Sequence, residues 1–106
     1  DAAHNVSGVT SLMQSCRTYP PKRTVIFGLH KARDVQTMVP LFESLGTSIM
    51  YCEFDDQFAT PFNDVKAVMT VPIAEYHLTD PLPSDDIIIF TGSIYFLGKI
   101  KSKLNS

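Results

Sequence analysis

The run Ile87-Ile88-Ile89-Phe90-Thr91-Gly92-Ser93-Ile94-Tyr95-Phe96 constrains this chain most, because it joins a wholly apolar strand to a glycine-serine corner and a helix start. Ile87 to Phe90 follow the helix breakers Pro81 and Pro83 and the acidic pair Asp85-Asp86, and they leave no polar face for water. Such a strand belongs in a sheet covered on both sides, as parallel sheets are. In open α/β sheets the carboxyl ends of the strands face the ligand crevice, so Gly92-Ser93 marks where a ligand would sit. Gly92 permits close approach of backbone, and Ser93 can cap the next helix or offer its hydroxyl and amide to an anion.

The remaining sequence alternates in the same manner. Ser7 can cap a helix carrying Val9, Leu12, Met13 and Cys16 on one stripe, which must end before Tyr19-Pro20-Pro21. Thr24-Val25-Ile26-Phe27 reads as a short buried strand ending at Gly28. After the loop Leu29-His30-Lys31-Ala32-Arg33, Asp34 can cap a second helix with Val35, Met38, Phe42 and Leu45 on its apolar face and Gly46 as its stop. Pro40 predicts a kink or a later start for that helix. Residues 48–54 read as another strand. Between residues 55 and 86, Pro61, Pro72, Pro81 and Pro83 leave room for a short helix over 63–69 and an edge strand over 73–77, but not for a long crossover helix. The final helix starts at Ser93, and its spacing assigns Ile94, Leu97, Ile100 and Leu104 to the core.

Strands alternating with helices predict one three-layer α/β domain, Rossmann-like, with a mainly parallel sheet and room for an antiparallel edge strand. Right-handed crossovers place Gly28 and Gly92 at the same edge of that sheet. Two loops then converge on one crevice with His30, Lys31, Thr91 and Ser93 as their polar residues.

At 106 residues the chain is one domain, too small for a two-lobed enzyme. Lys and Arg number 9 against 11 Asp and Glu, and a net charge of -2 supplies no basic field for nucleic acid or an anionic membrane. Lys99, Lys101 and Lys103 read as a solvated face that complements a helix dipole. Cys16 and Cys52 have no metal-site spacing, and reduced, buried thiols fit a cytoplasmic chain. No apolar stretch is long enough to span a bilayer, and no signal-peptide layout is present, so a soluble protein is expected. Starting at Asp1 without Met, the chain reads as a piece of a larger polypeptide.

Few residues suggest chemistry by themselves. Asp1, His4 and Asn5 project from one stretch and can grip ribose hydroxyls and phosphate, or simply be the polar residues of a frayed terminus. Lys31 can neutralise a carboxylate or phosphate, or be an exposed loop lysine. His30 reads as a turn residue, and His77 as structural. Ser93 lacks the Gly-x-Ser-x-Gly frame of a nucleophile elbow. Neither Gly-x-Gly-x-x-Gly nor Gly-x-x-x-x-Gly-Lys-Ser/Thr occurs, so ATP chemistry would need a phosphate-cradling loop from another domain.

Three segments together carry a resemblance: Asp1-Ala2-Ala3-His4-Asn5, Phe27-Gly28-Leu29-His30-Lys31-Ala32-Arg33-Asp34, and Phe90-Thr91-Gly92-Ser93-Ile94-Tyr95-Phe96. In this order and spacing they resemble the C-terminal domain of folylpolyglutamate synthase/dihydrofolate synthase, within the Mur ligase superfamily. The family's versions read Asp-Gly-Ala-His-Asn-Pro, Phe-Gly-x-x-x-Asp-Lys-Asp and Thr-Gly-Ser-Leu-Tyr. The resemblance implies an ATP-dependent ligase that adds glutamate to folate through an acyl phosphate, with Mg²⁺ bound mainly by an N-terminal ATPase domain that these residues do not include. It implies that residues 1–106 are a single C-terminal domain, that Asp1, His4 and Asn5 bind the nucleotide, and that Lys31 and Ser93 bind glutamate. ATP, L-glutamate and a folate substrate are the implied partners, and the 106 residues alone are expected to be inactive. Val6 stands in place of the motif's proline, Ala32-Arg33 in place of Asp-Lys, and Gln57-Phe58-Ala59 in place of Pro-Arg-Ala. The competing reading is a noncatalytic α/β binding or regulatory module derived from the same family.

Overall fold

The computed structural model describes residues 10–13, 22–31, 34–44, 48–84 and 87–105. In chain order these form β1 (Thr10–Met13), β2 (Arg23–Gly28), α1 (Val35–Glu43), β3 (Ser48–Tyr51), α2 (Phe62–Lys66), β4 (Ala74–Glu75), β5 (Ile87–Gly92) and α3 (Ile94–Leu104). The strands build one sheet in the order β1-β5-β2-β3-β4. β5, β2, β3 and β4 run parallel, and β1 lies antiparallel along the outer side of β5. The chain is therefore an α/β domain with a mainly parallel sheet, as its alternation predicts.

β2 has no side left for water, and its residues divide between two cores. Val25 and Phe27 join Met38, Val39 and Phe42 of α1, together with Ile49, Tyr51 and Val65, in a cluster on one face. Ile26 joins Ile88, Phe90, Cys52, Phe54 and Tyr76 with Phe96 and Ile100 of α3 on the other. Alternate residues of a strand point to opposite faces, so one strand supplies both cores and the helices cover the sheet from both sides. Burial pushes the Cys52 thiol up to about 12, which keeps it a neutral, small apolar group in its cluster.

Local chemistry explains the helix boundaries. Asp34 caps α1, its Oδ1 accepting from the Gln36 amide at 3.1 Å and its Oδ2 from the Thr37 hydroxyl at 2.7 Å. Those contacts, with the Thr37 hydroxyl the largest, hold the Asp34 carboxyl below its ordinary value. α1 runs through Pro40 rather than starting after it. Pro61 opens α2 without a side-chain cap, and the Glu53 carboxylate accepts from the Phe62 amide at 2.8 Å instead.

Several expectations need correction. The helix expected from Ser7 to Cys16 is replaced, in its described part, by β1, whose residues pair with Ile87 to Phe90. A spacing that fits a helical stripe is overridden there by the open edge of β5, which needs a hydrogen-bonding partner. The antiparallel edge strand is thus β1, whereas β4, within the expected 73–77 segment, pairs parallel with β3. α3 buries Phe96 and Ile100, while Ile94 is 60% exposed and Leu104 39% exposed. Gly28 explains that rotation: a Cβ there would lie 2.8 Å from Phe96 Cγ, so the missing side chain makes the space that the ring fills. Lys103 is not part of a merely solvated face, since its Nζ donates to the carbonyls of Leu78 at 2.7 Å and Asp80 at 2.8 Å. Among the described residues no helix is long and apolar enough to cross a membrane.

Candidate functional site

From β2 the chain passes through α1 to β3 on one side, then returns after β4 to place β5 on the other side of β2. The boundary between β2 and β5 is where the strand order reverses, and open α/β sheets hold ligands at the carboxyl ends of strands at such a point. Gly28 and Gly92 are partners in the register there. Gly92 adopts φ 113°, which L side chains rarely tolerate, and a Cβ on it would collide with the Gly28 carbonyl oxygen. That close approach lets the Ser93 amide donate to the same carbonyl at 2.8 Å. Ser93 is thereby fixed at the mouth of the crevice, where its Oγ accepts from the Tyr95 amide at 3.1 Å and caps α3. The positive end of the α3 dipole lies at the same corner.

The second loop is fixed by a buried tyrosine. The Tyr51 hydroxyl donates to the Thr60 carbonyl at 2.6 Å and accepts from the Leu29 amide at 3.3 Å. Burial raises its pKa well above the ordinary tyrosine value, so the proton needed for this link stays on. The Thr60 amide donates to Leu29 at 2.7 Å and the Lys31 amide to Phe58 at 2.8 Å, flanking an antiparallel bridge between His30 and Ala59. Lys31 consequently has a fixed backbone and an exposed side chain.

Asp55 shapes the facing wall. Its Oδ1 accepts from the Gln57 amide at 2.7 Å and the Phe58 amide at 2.9 Å. The Phe58 and Gln57 amides hold this carboxyl below its ordinary value, with Lys99 and Lys31 adding smaller attractions. A cleft of about 210 Å³ lies between the two walls, lined by His30, Phe54, Asp55, Phe58, Tyr95 and Lys99. The His30 ring lies 6.3 Å from Phe58, with planes 10° apart, and 5.6 Å from Tyr95.

Of the residues singled out in the sequence, the fold brings Lys31 and Ser93 to adjacent strand ends beside this cleft, with His30 in its wall. Thr91, assigned to the crevice above, is instead fully buried in the sheet. Asp1, His4 and Asn5 lie outside the described residues. Phe54, Asp55, Phe58, Tyr95 and Lys99 line the cleft although the sequence reading placed none of them at a site and read Lys99 as part of a solvated face. Asp55 carried a local signal, an aspartate two and three positions before amides that it can cap. Among the described residues no group of three or more His, Cys, Asp or Glu side chains could hold a metal ion.

No protein-family model matches the chain. No solved structure matches it significantly. A dihydrofolate synthase/folylpolyglutamate synthase of Bacillus subtilis (strain 168) is 24% identical to it over 115 residues, which take in 98% of this chain and 27% of that protein. The chain thus spans about a quarter of the length of this curated relative, and a match at that level supports a family relationship.

Proposed function

We propose that this chain is the glutamate- and nucleotide-binding C-terminal domain of an ATP-dependent ligase that adds glutamate to a folate carboxyl. The observation that carries the reading is the match along 98% of the chain to a dihydrofolate synthase/folylpolyglutamate synthase, beside the placement of Lys31 and Ser93, from two of the segments that resemble the family, after the paired ends of β2 and β5. ATP would phosphorylate the acceptor carboxyl, and the glutamate amine would attack the acyl phosphate and expel phosphate. In this scheme the Lys31 ammonium and the Ser93 hydroxyl bind glutamate carboxylates, assisted by the α3 dipole. A dianionic amino acid needs a cation and oriented donors, and both strengthen when a second domain closes over the site and excludes water. Asp1, His4 and Asn5 would bind the nucleotide, whereas the phosphate-cradling loop and the Mg²⁺ ligands would come from an ATPase domain of the same polypeptide.

Two substitutions in the natural full-length protein test the Ser93 assignment. Ser93→Ala should weaken glutamate use by roughly 1–3 kcal/mol if the hydroxyl contacts a carboxylate. Ser93→Asp keeps an N-cap acceptor for α3 but sets a negative charge against the ligand, so it should preserve stability and raise KM for glutamate further. An unchanged glutamate dependence in both variants removes Ser93 from the site.

A further inference from the structure

Lys31 sits on a ladder too short to fix its own register. The Thr60 amide donates to the Leu29 carbonyl at 2.7 Å, the Thr60 hydroxyl to the His30 carbonyl at 3.2 Å, and the Lys31 amide to the Phe58 carbonyl at 2.8 Å. Among the described residues, strand pairing between these two segments is a single antiparallel bridge from His30 to Ala59. A slip of one residue in such a pairing turns every side chain to the other face, and a slip of two carries Lys31 about 7 Å along the wall. The register therefore has to be set from outside the ladder.

Tyr51 lies beneath it as a fixed point. It is the last residue of β3 and is fully buried. Its ring packs edge-on to Phe27, with centroids 5.0 Å apart, and nearly parallel to Phe62 at 6.4 Å. Its backbone is held as well: it is the register partner of Phe27 in β2, and its carbonyl accepts from the Tyr76 amide at 2.8 Å. From this anchored ring the hydroxyl reaches both sides of the ladder, donating to the Thr60 carbonyl at 2.6 Å and accepting from the Leu29 amide at 3.3 Å. Leu29 and Thr60 are buried too, so water does not stand in for these bonds. A slipped ladder leaves the hydroxyl, the Leu29 amide and the Thr60 carbonyl unpaired, and buried polar groups without partners are costly.

We propose that the Tyr51 hydroxyl is a positioning group for glutamate binding: it sets the register between residues 29–31 and 58–60, and thereby the place of the Lys31 ammonium relative to Ser93. This rests on the ligase reading, in which Lys31 and Ser93 hold the glutamate carboxylates, and Tyr51 itself touches no ligand. The two halves of that grip have separate anchors. Ser93 is held by its amide on the Gly28 carbonyl, and Lys31 through the Tyr51 hydroxyl. A dicarboxylate of fixed length needs a fixed spacing between them, so loss of the hydroxyl weakens glutamate while the transfer chemistry is left in place.

The test is steady-state kinetics of the natural full-length protein with ATP, L-glutamate and a folate acceptor, on Tyr51→Phe, Lys31→Gln and the double variant. Tyr51→Phe keeps the packed ring and should raise KM for glutamate roughly five- to tenfold, with kcat and KM for ATP changed less than about twofold. Lys31→Gln should raise KM for glutamate roughly tenfold, and in that background Tyr51→Phe should add less than about twofold, because the cation it positions is gone. An unchanged KM for glutamate in Tyr51→Phe, a rise shared equally by ATP, or additive effects in the double variant overturn the proposal. Should Tyr51→Phe not fold, Thr60→Val removes the hydroxyl bond to His30 from the same ladder, and an unchanged KM for glutamate there overturns it equally. Absence of ligation in the unsubstituted protein is failure of the ligase reading instead. The register is then read without substrate, by hydrogen exchange at the Lys31 amide, which Tyr51→Phe should speed and which, if unchanged, overturns the positioning role.

Discussion

Replacing Gly92 with alanine should damage this domain more than any other single methyl group added to a described glycine. The left-handed backbone at φ 113° costs an L-residue about 1–3 kcal/mol. The added Cβ also meets the Gly28 carbonyl oxygen, which is backbone and cannot swing aside. Relieving that collision separates β5 from β2 and loses the Ser93–Gly28 hydrogen bond of 2.8 Å, a net of about 1 kcal/mol. With the steric cost included, Gly92→Ala should destabilise the domain by roughly 3–5 kcal/mol. At a urea slope of roughly 1.5 kcal/mol per M, the unfolding midpoint falls by about 2–3 M, with an unchanged slope showing that the unfolded state is comparable. Gly98→Ala is the matched comparison, because a Cβ there meets nothing within 4 Å in the exposed interior of α3. It should stabilise the domain by about 0.5–1 kcal/mol. A loss below about 1 kcal/mol for Gly92→Ala would refute the close-approach account.

Tyr51→Phe leaves the Thr60 carbonyl and the Leu29 amide without their buried hydroxyl partner. It should cost about 1–3 kcal/mol and speed hydrogen exchange at Leu29, and unchanged protection there would show that the hydroxyl does not fix the Lys31 loop. Cys52 has a folded pKa of about 12 against an ordinary value of 9.0. Its burial therefore contributes stability that is complete below pH 9.0 and is lost as pH rises toward about 12. In a Cys16→Ser background, Cys52→Ala should flatten the loss of stability across that window, and equal slopes would contradict the assignment. The 106 residues alone should turn over no ATP, because they contain no phosphate-cradling loop. Measured ATP-dependent glutamate ligation by this chain would overturn that expectation.

What could be read from the sequence was what local chemistry decides. The apolar run into Gly92-Ser93 predicted β5, the corner and the capped start of α3, because burial, close approach and capping are all written in consecutive residues. Asp34 announced α1 for the same reason. β1 was not legible, since the stripe of Val9, Leu12, Met13 and Cys16 fits a helix, and only the distant edge of β5 turns residues 10–13 into a strand. Of the predicted α3 face, Ile100 lies in the core and Leu97 packs against it, but Ile94 and Leu104 do not, because the face depends on the space at Gly28, far away in the chain, which receives Phe96. The cleft was hidden for a similar reason: Phe58 and Tyr95 come together only when the His30–Ala59 bridge folds one loop onto the other.

The role proposed for this chain is the glutamate side of a folate ligase. It is tested most directly by incubating the natural full-length protein with ATP, L-glutamate and a folate acceptor, and measuring the product by mass spectrometry. The expected product is an acceptor extended by glutamyl residues, formed only when ATP and glutamate are both present and suppressed by Ser93→Asp. An acceptor left unextended by the folded protein would contradict it.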